Sequence, residues 1–414
     1  MARMRSSFNR IRFRRRRNAV SERKVDEGQK LQAYERKSLR LTSQERELLM
    51  GDDTISGDFG VTGDMTTAEG NAFSRRPLDA RLTWSMAVLE QGALYTLKTF
   101  RKIKRFKPPG VTFIAFNSNP KKNRYNDIHC MDKTRVILRN HSCDYIHANW
   151  LTSFNGVKFI CTQAPMASTL SDFWHMILQE NCRTIIMLCQ LEEDNKEKCV
   201  RYFPEKAETP FTVDNTVVTL IKQTWSEEHG IMTSVWSVRC KERVFEVRHI
   251  QYKKWPDHSA PSDTVGAVEL HREIRNCPKG HPIVVHCSAG IGRTCTLIGV
   301  ELLLEQSRWL NYYSGRSIVK TMRRSRLGAV QRAIQFLFMH YVLLDLFCKE
   351  KLLNSDDVRL IQFRNVYDQL VKESNKLRLQ KKKKKKAEPK AHENALEEGR
   401  TQTKTTSGLK VNAD

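Results

Sequence analysis

Residues Val284 to Thr296 read Val-Val-His-Cys-Ser-Ala-Gly-Ile-Gly-Arg-Thr-Cys-Thr, and this stretch decides the fold. The apolar run from Pro282 to Val285 is typical of a buried strand, and residues 294–304 predict a helix. The loop between them consists mostly of small residues, so its backbone N–H groups would converge on one point beside the N-terminus of the helix. A strand, a glycine-containing loop and a helix in this order predict a binding site for an oxyanion.

The loop carries a cysteine at its start and an arginine at its end. With five residues between them, the thiol of Cys287 and the guanidinium of Arg293 would face the same bound anion. The field that binds the anion also favours a thiolate, so we expect Cys287 to be ionised at neutral pH and to act as a nucleophile. A small buried hydrophobe is the ordinary interpretation of the other cysteines. The pattern Cys-x5-Arg-Thr, with Gly290 and Gly292 inside it, specifies too many positions at once for that interpretation here.

The stretch resembles the signature loop of the cysteine-dependent, tyrosine-specific protein tyrosine phosphatases. The resemblance extends from about residue 83 to residue 350 and points to a divergent, non-receptor member with a single catalytic domain. It implies an α/β fold in which helices flank a central, twisted mixed sheet. It also implies attack of the Cys287 thiolate on a phosphotyrosyl phosphorus, followed by hydrolysis of the phosphocysteine. The sequence departs from the family's usual residues at several other positions, which include His147, Ala164, Leu178 and Phe203.

The proton for the leaving tyrosyl oxygen is assigned by the same resemblance to Asp257, in the motif Trp255-Pro256-Asp257. A carboxylic acid on a mobile loop can deliver this proton once the loop has closed and excluded water. Asp257 would then act as the base of the second step. The motif lies 30 residues before Cys287, and this context makes it more specific than a bare Pro-Asp turn.

Three further residues are assigned roles in the chemistry by resemblance. Arg293 would clamp the transition state with two hydrogen bonds, and Thr294 would ease the departure of the thiolate. Gln331 follows the pattern Arg-x-Gly-x-Val and would position the attacking water. Gln335 is predicted on the same helical face, four residues later.

The substrate-binding residues are predicted on the same basis. Tyr125 would form an aromatic wall beside the phosphate, and the resulting cleft would be too deep for phosphoserine to reach Cys287. Asp127 would accept hydrogen bonds from the substrate backbone, and Lys198 would approach the surroundings of the phosphate. The contacts with the phosphate itself fall to Ser288, Ala289, Gly290, Ile291 and Gly292.

Other charged side chains are expected to support the loop. Glu193 is a candidate partner of Arg293, although the adjacent Glu192 leaves the register open. Arg323 and Arg326 are expected to brace the loop rather than to bind substrate.

The two ends of the chain differ in composition from the middle. Residues 1–82 are polar and at first basic, which predicts a mostly disordered region with a short helix from Ser43 to Met50 behind a capping box. Residues 83–350 form the predicted catalytic domain. Residues 351–380 are interpreted as an additional helix, and residues 381–414 as a lysine-rich disordered tail.

The formal net charge of +25 over 414 residues is extreme. Much of it lies in the runs Arg10–Arg17 and Lys381–Lys386, so these basic tails predict contact with nucleic acid, an anionic membrane or an import receptor, with a merely solvated run as the alternative.

An odd number of cysteines and a thiolate-dependent reaction favour a reducing compartment, the cytoplasm or the nucleus. No apolar run approaches the roughly 18 residues of a transmembrane segment. The chemistry calls for no metal or other cofactor.

Two other function classes stay open. A catalytically weak phosphotyrosine-binding scaffold, or pseudophosphatase, is favoured by the departures at Ser259, Ala260 and Cys295, and the loss of the family's glycine after the acid predicts slower closure of its loop. Degraded copies usually lose the nucleophile, the arginine or the acid, and this chain retains all three. In the second alternative the basic tails carry the main function, through nucleic acid or an anionic membrane.

Overall fold

The computed structural model describes residues 41–50, 79–309 and 314–402 of the chain. The predictions for residues 1–40, 51–78 and 403–414, among them the N-terminal arginine run, concern segments outside these described residues. None of the helices in the described part combines the length and the apolar composition that a membrane crossing requires.

A nine-stranded mixed sheet forms the centre of the described chain, and a two-stranded hairpin lies apart from it. The strands are β1 (Arg135–Ile137), β2 (Tyr145–Thr152), β3 (Lys158–Thr162), β4 (Thr184–Met187), β5 (Glu192–Glu193), β6 (Lys196–Glu197), β7 (Phe211–Val213), β8 (Thr216–Ser226), β9 (Ile231–Cys240), β10 (Arg243–Tyr252) and β11 (Ile283–His286). Their order in the sheet is β1-β2-β3-β11-β4-β10-β9-β8-β7, and β5 pairs with β6 in the hairpin. The expected mixed sheet is confirmed.

Strand β11 is the strand predicted from the apolar run before Cys287. It lies between β3 and β4, runs parallel to both, and buries all of its side chains. A parallel strand with both faces covered needs apolar residues at every position, which explains why the run does not alternate. The signature loop, residues 287–293, therefore begins at the carboxyl end of an interior strand of the sheet.

Helices surround the sheet. They are α1 (Ser43–Met50), α2 (Ala80–Thr99), α3 (Ile114–Ser118), α4 (Leu170–Gln179), α5 (Val265–Arg275), α6 (Arg293–Trp309), α7 (Gly315–Arg323), α8 (Ala333–Lys349) and α9 (Val358–Gln402). Helix α2 is kinked at Gly92, where φ is +77°. Helix α8 contains the apolar run from Phe336 to Phe347, which is buried except at Asp345.

Helix α1 confirms the short helix predicted from a capping box. The Thr42 N–H donates to Glu45 Oε2 at 2.7 Å, and the Glu45 N–H donates to Thr42 Oγ1 at 3.3 Å. Leu48 and Leu49 of this helix belong to the main hydrophobic core. The core therefore begins before residue 83, where we placed the start of the catalytic domain.

Helix α9 confirms the additional helix, but it continues to Gln402, beyond the expected end at residue 380. Lysine, alanine and glutamate dominate residues 381–402 and are strong helix formers, so this segment continues the packed part of the helix. The apolar face of α9 joins the main core through Leu360, Phe363, Tyr367 and Leu370. The boundary expected at residue 350 therefore divides one hydrophobic core.

Candidate active site

The signature loop wraps around the thiol of Cys287, which is 4% exposed. The backbone N–H of Gly290 donates to Cys287 Sγ at 3.3 Å. Gly290 has φ +71°, and a Cβ atom there would lie 2.2 Å from the carbonyl oxygen of Thr162 in β3. Both the left-handed backbone and this close approach require glycine.

Arg326 braces the outer side of the loop. Its guanidinium donates to Gly290 O at 3.2 Å and to Ala289 O at 2.9 Å. It also donates to Asn149 Oδ1 at 2.7 Å and to His147 Nδ1 at 3.1 Å. Burial, together with the nearby guanidinium, lowers the pKa of His147 to about 3. The imidazole is therefore neutral at physiological pH and can accept the hydrogen bond.

Arg323 holds the neighbouring turn. It donates to Ala329 O at 3.0 Å and to Val330 O at 3.1 Å. Val330 has φ +58°, a conformation that is rare for a β-branched residue, so these hydrogen bonds support a strained turn. The Val330 N–H donates in turn to Ile291 O at 3.0 Å, which joins the turn to the signature loop. The predicted bracing roles of the two arginines are confirmed.

Arg293, the last residue of the loop, is 2% exposed and pairs with two carboxylates. Nη1 and Nη2 donate to the two oxygens of Glu193 at 2.6 and 2.9 Å, and Nη2 also donates to Asp257 Oδ1 at 2.9 Å. Nη1 donates further to the carbonyl of Trp255 at 3.2 Å. Burial alone would lower the pKa of Arg293, but the two carboxylates outweigh it and raise the pKa. Glu192 is exposed, so Glu193 is the partner of Arg293 in the pair of glutamates between which the sequence could not decide.

Asp257 lies on the acid loop, residues 255–264, between two cations. Oδ1 accepts from Arg293, and Oδ2 accepts from Lys198 Nζ at 2.6 Å. His258 Nε2 lies 3.6 Å from Oδ2. Burial alone would raise the pKa of Asp257, but the three basic neighbours hold it well below its usual range. The carboxyl is therefore ionised at neutral pH in the free site.

These groups meet in a cavity of about 120 Å³. It is lined by Tyr125, Asp127, Ile128, Asp257, His258, Cys287, Ser288, Ala289, Gly292, Arg293, Gln331 and Gln335. All except Ile128 and His258 are among the residues predicted from the sequence. The predicted residues Gly290, Ile291, Thr294 and Lys198 are not part of this lining.

The cavity thus brings together the thiol of Cys287, the buried guanidinium of Arg293 and the carboxyl of Asp257, as the resemblance predicted. The family model for protein-tyrosine phosphatase matches residues 119–345. The chain belongs to the protein-tyrosine phosphatase family. The resemblance seen in the signature loop is confirmed, and so is the α/β fold that it implied.

Relatives of this chain include both curated proteins and solved structures. Human tyrosine-protein phosphatase non-receptor type 18 is 34% identical over 257 residues, which are 59% of this chain and 55% of that protein. The Lar-like tyrosine-protein phosphatase of Caenorhabditis elegans is 34% identical over 234 residues, 55% of this chain and 10% of that protein. The crystal structure of the human non-receptor type 18 catalytic domain has a TM-score of 0.57 and 31% identity, and the match covers 65% of this chain and 100% of that domain. The chain thus spans between a tenth and about half of these curated relatives.

Tyr125 forms one wall of the cavity. Its hydroxyl lies 2.8 Å from Ser288 Oγ, which ties the ring to the signature loop. The Ser288 hydroxyl also lies 3.2 Å from Lys198 O. Asp127 is exposed at the rim, where a substrate backbone could reach it.

Gln331 and Gln335 both line the cavity, but they do not share a helix as the sequence predicted. Gln331 lies in the turn before α8, which begins at Ala333, so the expectation that it shares a helical face with Gln335 is wrong. Their amides converge all the same: a Cβ atom on Gly292 would lie 3.1 Å from both Gln331 Oε1 and Gln335 Nε2. Gln335 Nε2 also donates to Ser259 O at 3.4 Å, which connects it to the acid loop.

The hydroxyl of Thr294 and the thiol of Cys295 are buried beside the signature loop. Thr294 is fully buried, and its hydroxyl has no hydrogen-bond partner among the described residues. Cys295 stands where the family usually has glycine. Contact with Cys161 of β3, together with burial, raises the pKa of Cys295 well above its ordinary value. Cys295 is therefore an unreactive thiol that packs α6 against the sheet.

A buried polar network behind the signature loop was missed by the sequence analysis. The Tyr202 hydroxyl lies 2.8 Å from His286 Nε2 and 2.9 Å from His249 Nε2. Burial lowers the pKa of His249 well below its ordinary value, so this ring is neutral. The signal that could have revealed the network is His286 itself, a polar residue at the end of an otherwise apolar strand.

Proposed function

We propose that this protein hydrolyses phosphotyrosine in proteins through a phosphocysteine intermediate. One observation carries the proposal: the thiol of Cys287, the guanidinium of Arg293 and the carboxyl of Asp257 line the same cavity. Cleavage of a phosphate monoester by a thiolate requires these three kinds of group, because it needs a nucleophile, a charge clamp and a proton donor.

In the first step the Cys287 thiolate attacks phosphorus. An S–P bond forms, and the P–O bond to the tyrosyl oxygen breaks. The N–H groups of the signature loop and the two guanidinium donors of Arg293 stabilise the charge on the phosphoryl oxygens. The pairing of Arg293 with Glu193 supports this step because it fixes the plane of the guanidinium before substrate arrives.

The proton of the first step comes from Asp257, which must therefore become neutral. In the free site Arg293 and Lys198 keep this carboxyl ionised. The arriving phosphate dianion competes for the Arg293 guanidinium, and its negative charge raises the pKa of the carboxyl beside it. Binding of substrate thus protonates the acid at the moment when the leaving oxygen needs the proton.

In the second step water attacks the phosphocysteine. The amide of Gln331 orients the water, and Asp257, now a carboxylate, accepts its proton. The S–P bond breaks, inorganic phosphate leaves, and the Cys287 thiolate is restored. We assign to the unpaired hydroxyl of Thr294 the role of a hydrogen-bond donor to the departing thiolate, in keeping with its lack of another partner among the described residues.

The substrate of this reaction is a phosphotyrosyl segment of a protein. Tyr125 and Ile128 offer an aromatic and an aliphatic surface to a phenyl ring, and Asp127 offers acceptors to the peptide backbone. A solved relative, non-receptor type 18 in complex with HER2 phosphopeptides, is 30% identical to this chain with a TM-score of 0.53. That complex supports a phosphotyrosyl peptide as the substrate of this chain, but it does not identify the protein that supplies the peptide.

The working environment of the enzyme follows from its thiols. All eleven cysteines are unpaired, and a catalytic thiolate needs reducing conditions, so we propose that the protein acts in the cytoplasm or the nucleus. Binding of nucleic acid, an anionic membrane or an import receptor by the basic tails stays a prediction.

The test is phosphate release from a phosphotyrosyl peptide by the purified full chain. We expect turnover that the Cys287→Ser variant lacks, and no turnover of the same peptide with phosphoserine in place of phosphotyrosine. A wild-type rate no higher than that of Cys287→Ser would reject the proposal. If the peptide were still bound under those conditions, the scaffold alternative would replace it.

A further inference from the structure

Helix α9 contacts the acid loop at two backbone carbonyls. Arg378 Nη1 donates to Asp257 O at 3.0 Å, and the Tyr367 hydroxyl donates to Pro261 O at 2.6 Å. The loop is therefore held at the acid itself and again four residues later. Both contacts come from a helix that carries none of the residues assigned to the chemistry.

The contact of Arg378 bears directly on the orientation of the acid. Asp257 O belongs to the peptide group that joins Asp257 to His258, and His258 has φ +53°. A residue with a Cβ atom is unfavourable in this left-handed region, so the peptide would tend to rotate without support. A hydrogen bond from a charged donor to the carbonyl holds the peptide group, and with it the direction of the Asp257 side chain.

Arg378 also connects the acid loop with the β5–β6 hairpin. Its Nη1 lies 3.4 Å from Asp194 Oδ2, and Asp194 directly follows Glu193, the partner of Arg293. One guanidinium thus joins the two segments that supply carboxylates to Arg293.

Tyr367 anchors the helix beneath the loop. Its ring is fully buried and lies 4.5 Å from Tyr341 and 6.1 Å from Phe338, measured between ring centroids. Phe338 in turn lies 5.3 Å from Trp255, the first residue of the acid loop. The helix therefore supports the start of the loop through packing and its later part through the hydrogen bond to Pro261.

We infer that helix α9 acts as a strap that fixes the acid loop where Asp257 lines the cavity and contacts Arg293, with Arg378 as a positioning residue for Asp257. The catalytic consequence rests on the proposed function, and the strap adds to it a structural control from outside the catalytic loops. A loop held in this position in the free protein does not search for it in each turnover.

The first test compares leaving groups in the full chain. For Arg378→Ala we expect kcat for a phosphotyrosyl peptide to fall about 10-fold with KM nearly unchanged, because proton donation suffers while the phosphate cradle is intact. For an aryl phosphate whose leaving group needs no proton, the loss shrinks to less than about 2-fold. Lys376→Ala is the matched control: Lys376 is an exposed residue of the same helix that lies 4.0 Å from Glu373, and both rates stay at the wild-type value.

A second variant guards against misfolding. Tyr367→Phe keeps the packed ring and removes the hydroxyl that binds Pro261, and we expect the same leaving-group dependence in a weaker form. Arg378→Lys restores part of the peptide rate, since an ammonium can still donate to Asp257 O. An equal loss on both substrates, or no loss in either the alanine or the phenylalanine variant, overturns the strap.

Hydrogen exchange separates this inference from the proposed function. We expect the backbone amides of residues 257–263 to exchange several-fold faster in Arg378→Ala than in the wild type, and at the wild-type rate in Lys376→Ala. Absence of turnover in the wild-type chain would reject the phosphatase reaction and leave this readout intact. Unchanged exchange in Arg378→Ala would reject the strap, whatever the activity.

Discussion

The guanidinium of Arg293 is a buried cation whose charge is balanced by Glu193 on one side and Asp257 on the other. Burying an ion pair is tolerable when both partners are present and hydrogen-bonded, and removing one partner leaves an uncompensated charge. In the proposed reaction a phosphate dianion replaces Asp257, and Glu193 is then the carboxylate that keeps the guanidinium in place. The two carboxylates would therefore contribute at different stages of that reaction.

We predict that Glu193→Gln lowers both stability and turnover. Arg293 keeps Asp257 as a partner, so the loss of stability is about 2 kcal/mol, below the usual range for breaking a buried ion pair. The value of kcat/KM falls about 10- to 100-fold, because the guanidinium is no longer fixed in the plane that the transition state needs. Thermal unfolding and steady-state kinetics measure the two effects. The adjacent Glu192→Gln changes an exposed carboxylate and serves as the control; equal effects of both variants would contradict the prediction.

A second prediction concerns the pH dependence of stability. The pKa of Asp257 is lowered in the folded state, whereas the pKa of an aspartate in an unfolded chain is about 3.9. Its charged form therefore stabilises the fold above that pH, and this contribution is lost as the pH falls toward the folded-state pKa. We expect the difference in unfolding free energy between wild type and Asp257→Asn to shrink as the pH falls below about 4. Denaturant unfolding at each pH provides the measurement, and a difference independent of pH would contradict it.

The sequence predicts those site residues that belong to a short local motif. Cys287, Arg293 and Asp257 each occupy a fixed place in a short motif, so one stretch identifies them. The partner of Arg293 could not be decided in the same way, because Glu192 and Glu193 are chemically identical neighbours. The choice between them depends on the β5–β6 hairpin turn at Asp194, whose φ is +56°, and no periodicity in so short a hairpin predicts it.

The signature loop depends on two separate properties of Gly290, and a pair of variants can separate them. Gly280 precedes β11 with φ +80° and open space around it, so Gly280→Ala tests the left-handed backbone alone, with a cost of about 1–2 kcal/mol. Gly290→Ala adds the contact with Thr162 O at 2.2 Å. We predict that Gly280→Ala lowers the melting temperature and keeps kcat, while Gly290→Ala also abolishes turnover because the N–H groups no longer converge. Retained turnover in Gly290→Ala would contradict this account of the loop.

Predictions for the helices and strands succeeded where one chain segment carries its own signal. Strand β11 and helix α8 are predominantly apolar runs, and the capping box of α1 is a local hydrogen-bond pair. The convergence of Gln331 and Gln335 was predicted for the wrong reason, because the helix begins two residues after Gln331 rather than before it. Element boundaries of this kind depend on tertiary contacts, here on the hydrogen bonds of Arg323 to the preceding turn.

The arrangement of the described chain explains why the sequence does not predict the contact of helix α9 with the acid loop. Arg378 and Asp257 are 121 residues apart in the chain, and the hydrogen bond between them exists because α9 packs along the core beside α8. No local pattern encodes such docking. The sequence predicts an additional helix over residues 351–380 but not which part of the chain it packs against.

The last prediction tests whether α9 belongs to the folding unit. Leu360, Phe363, Tyr367 and Leu370 are each no more than 2% exposed, and burial of a large apolar side chain contributes about 1.5–3 kcal/mol. Together they contribute on the order of 6–12 kcal/mol, comparable to the about 5–15 kcal/mol by which a whole domain is stable. We therefore expect a chain that ends at Glu350 to lose cooperative thermal unfolding. A chain that ends at Lys381 keeps every one of these contacts and is expected to melt within a few degrees of the full chain. Cooperative unfolding of the shorter chain at the full-length temperature would show that α9 is an accessory, and the strap on the acid loop would then lack the rigid base that it requires.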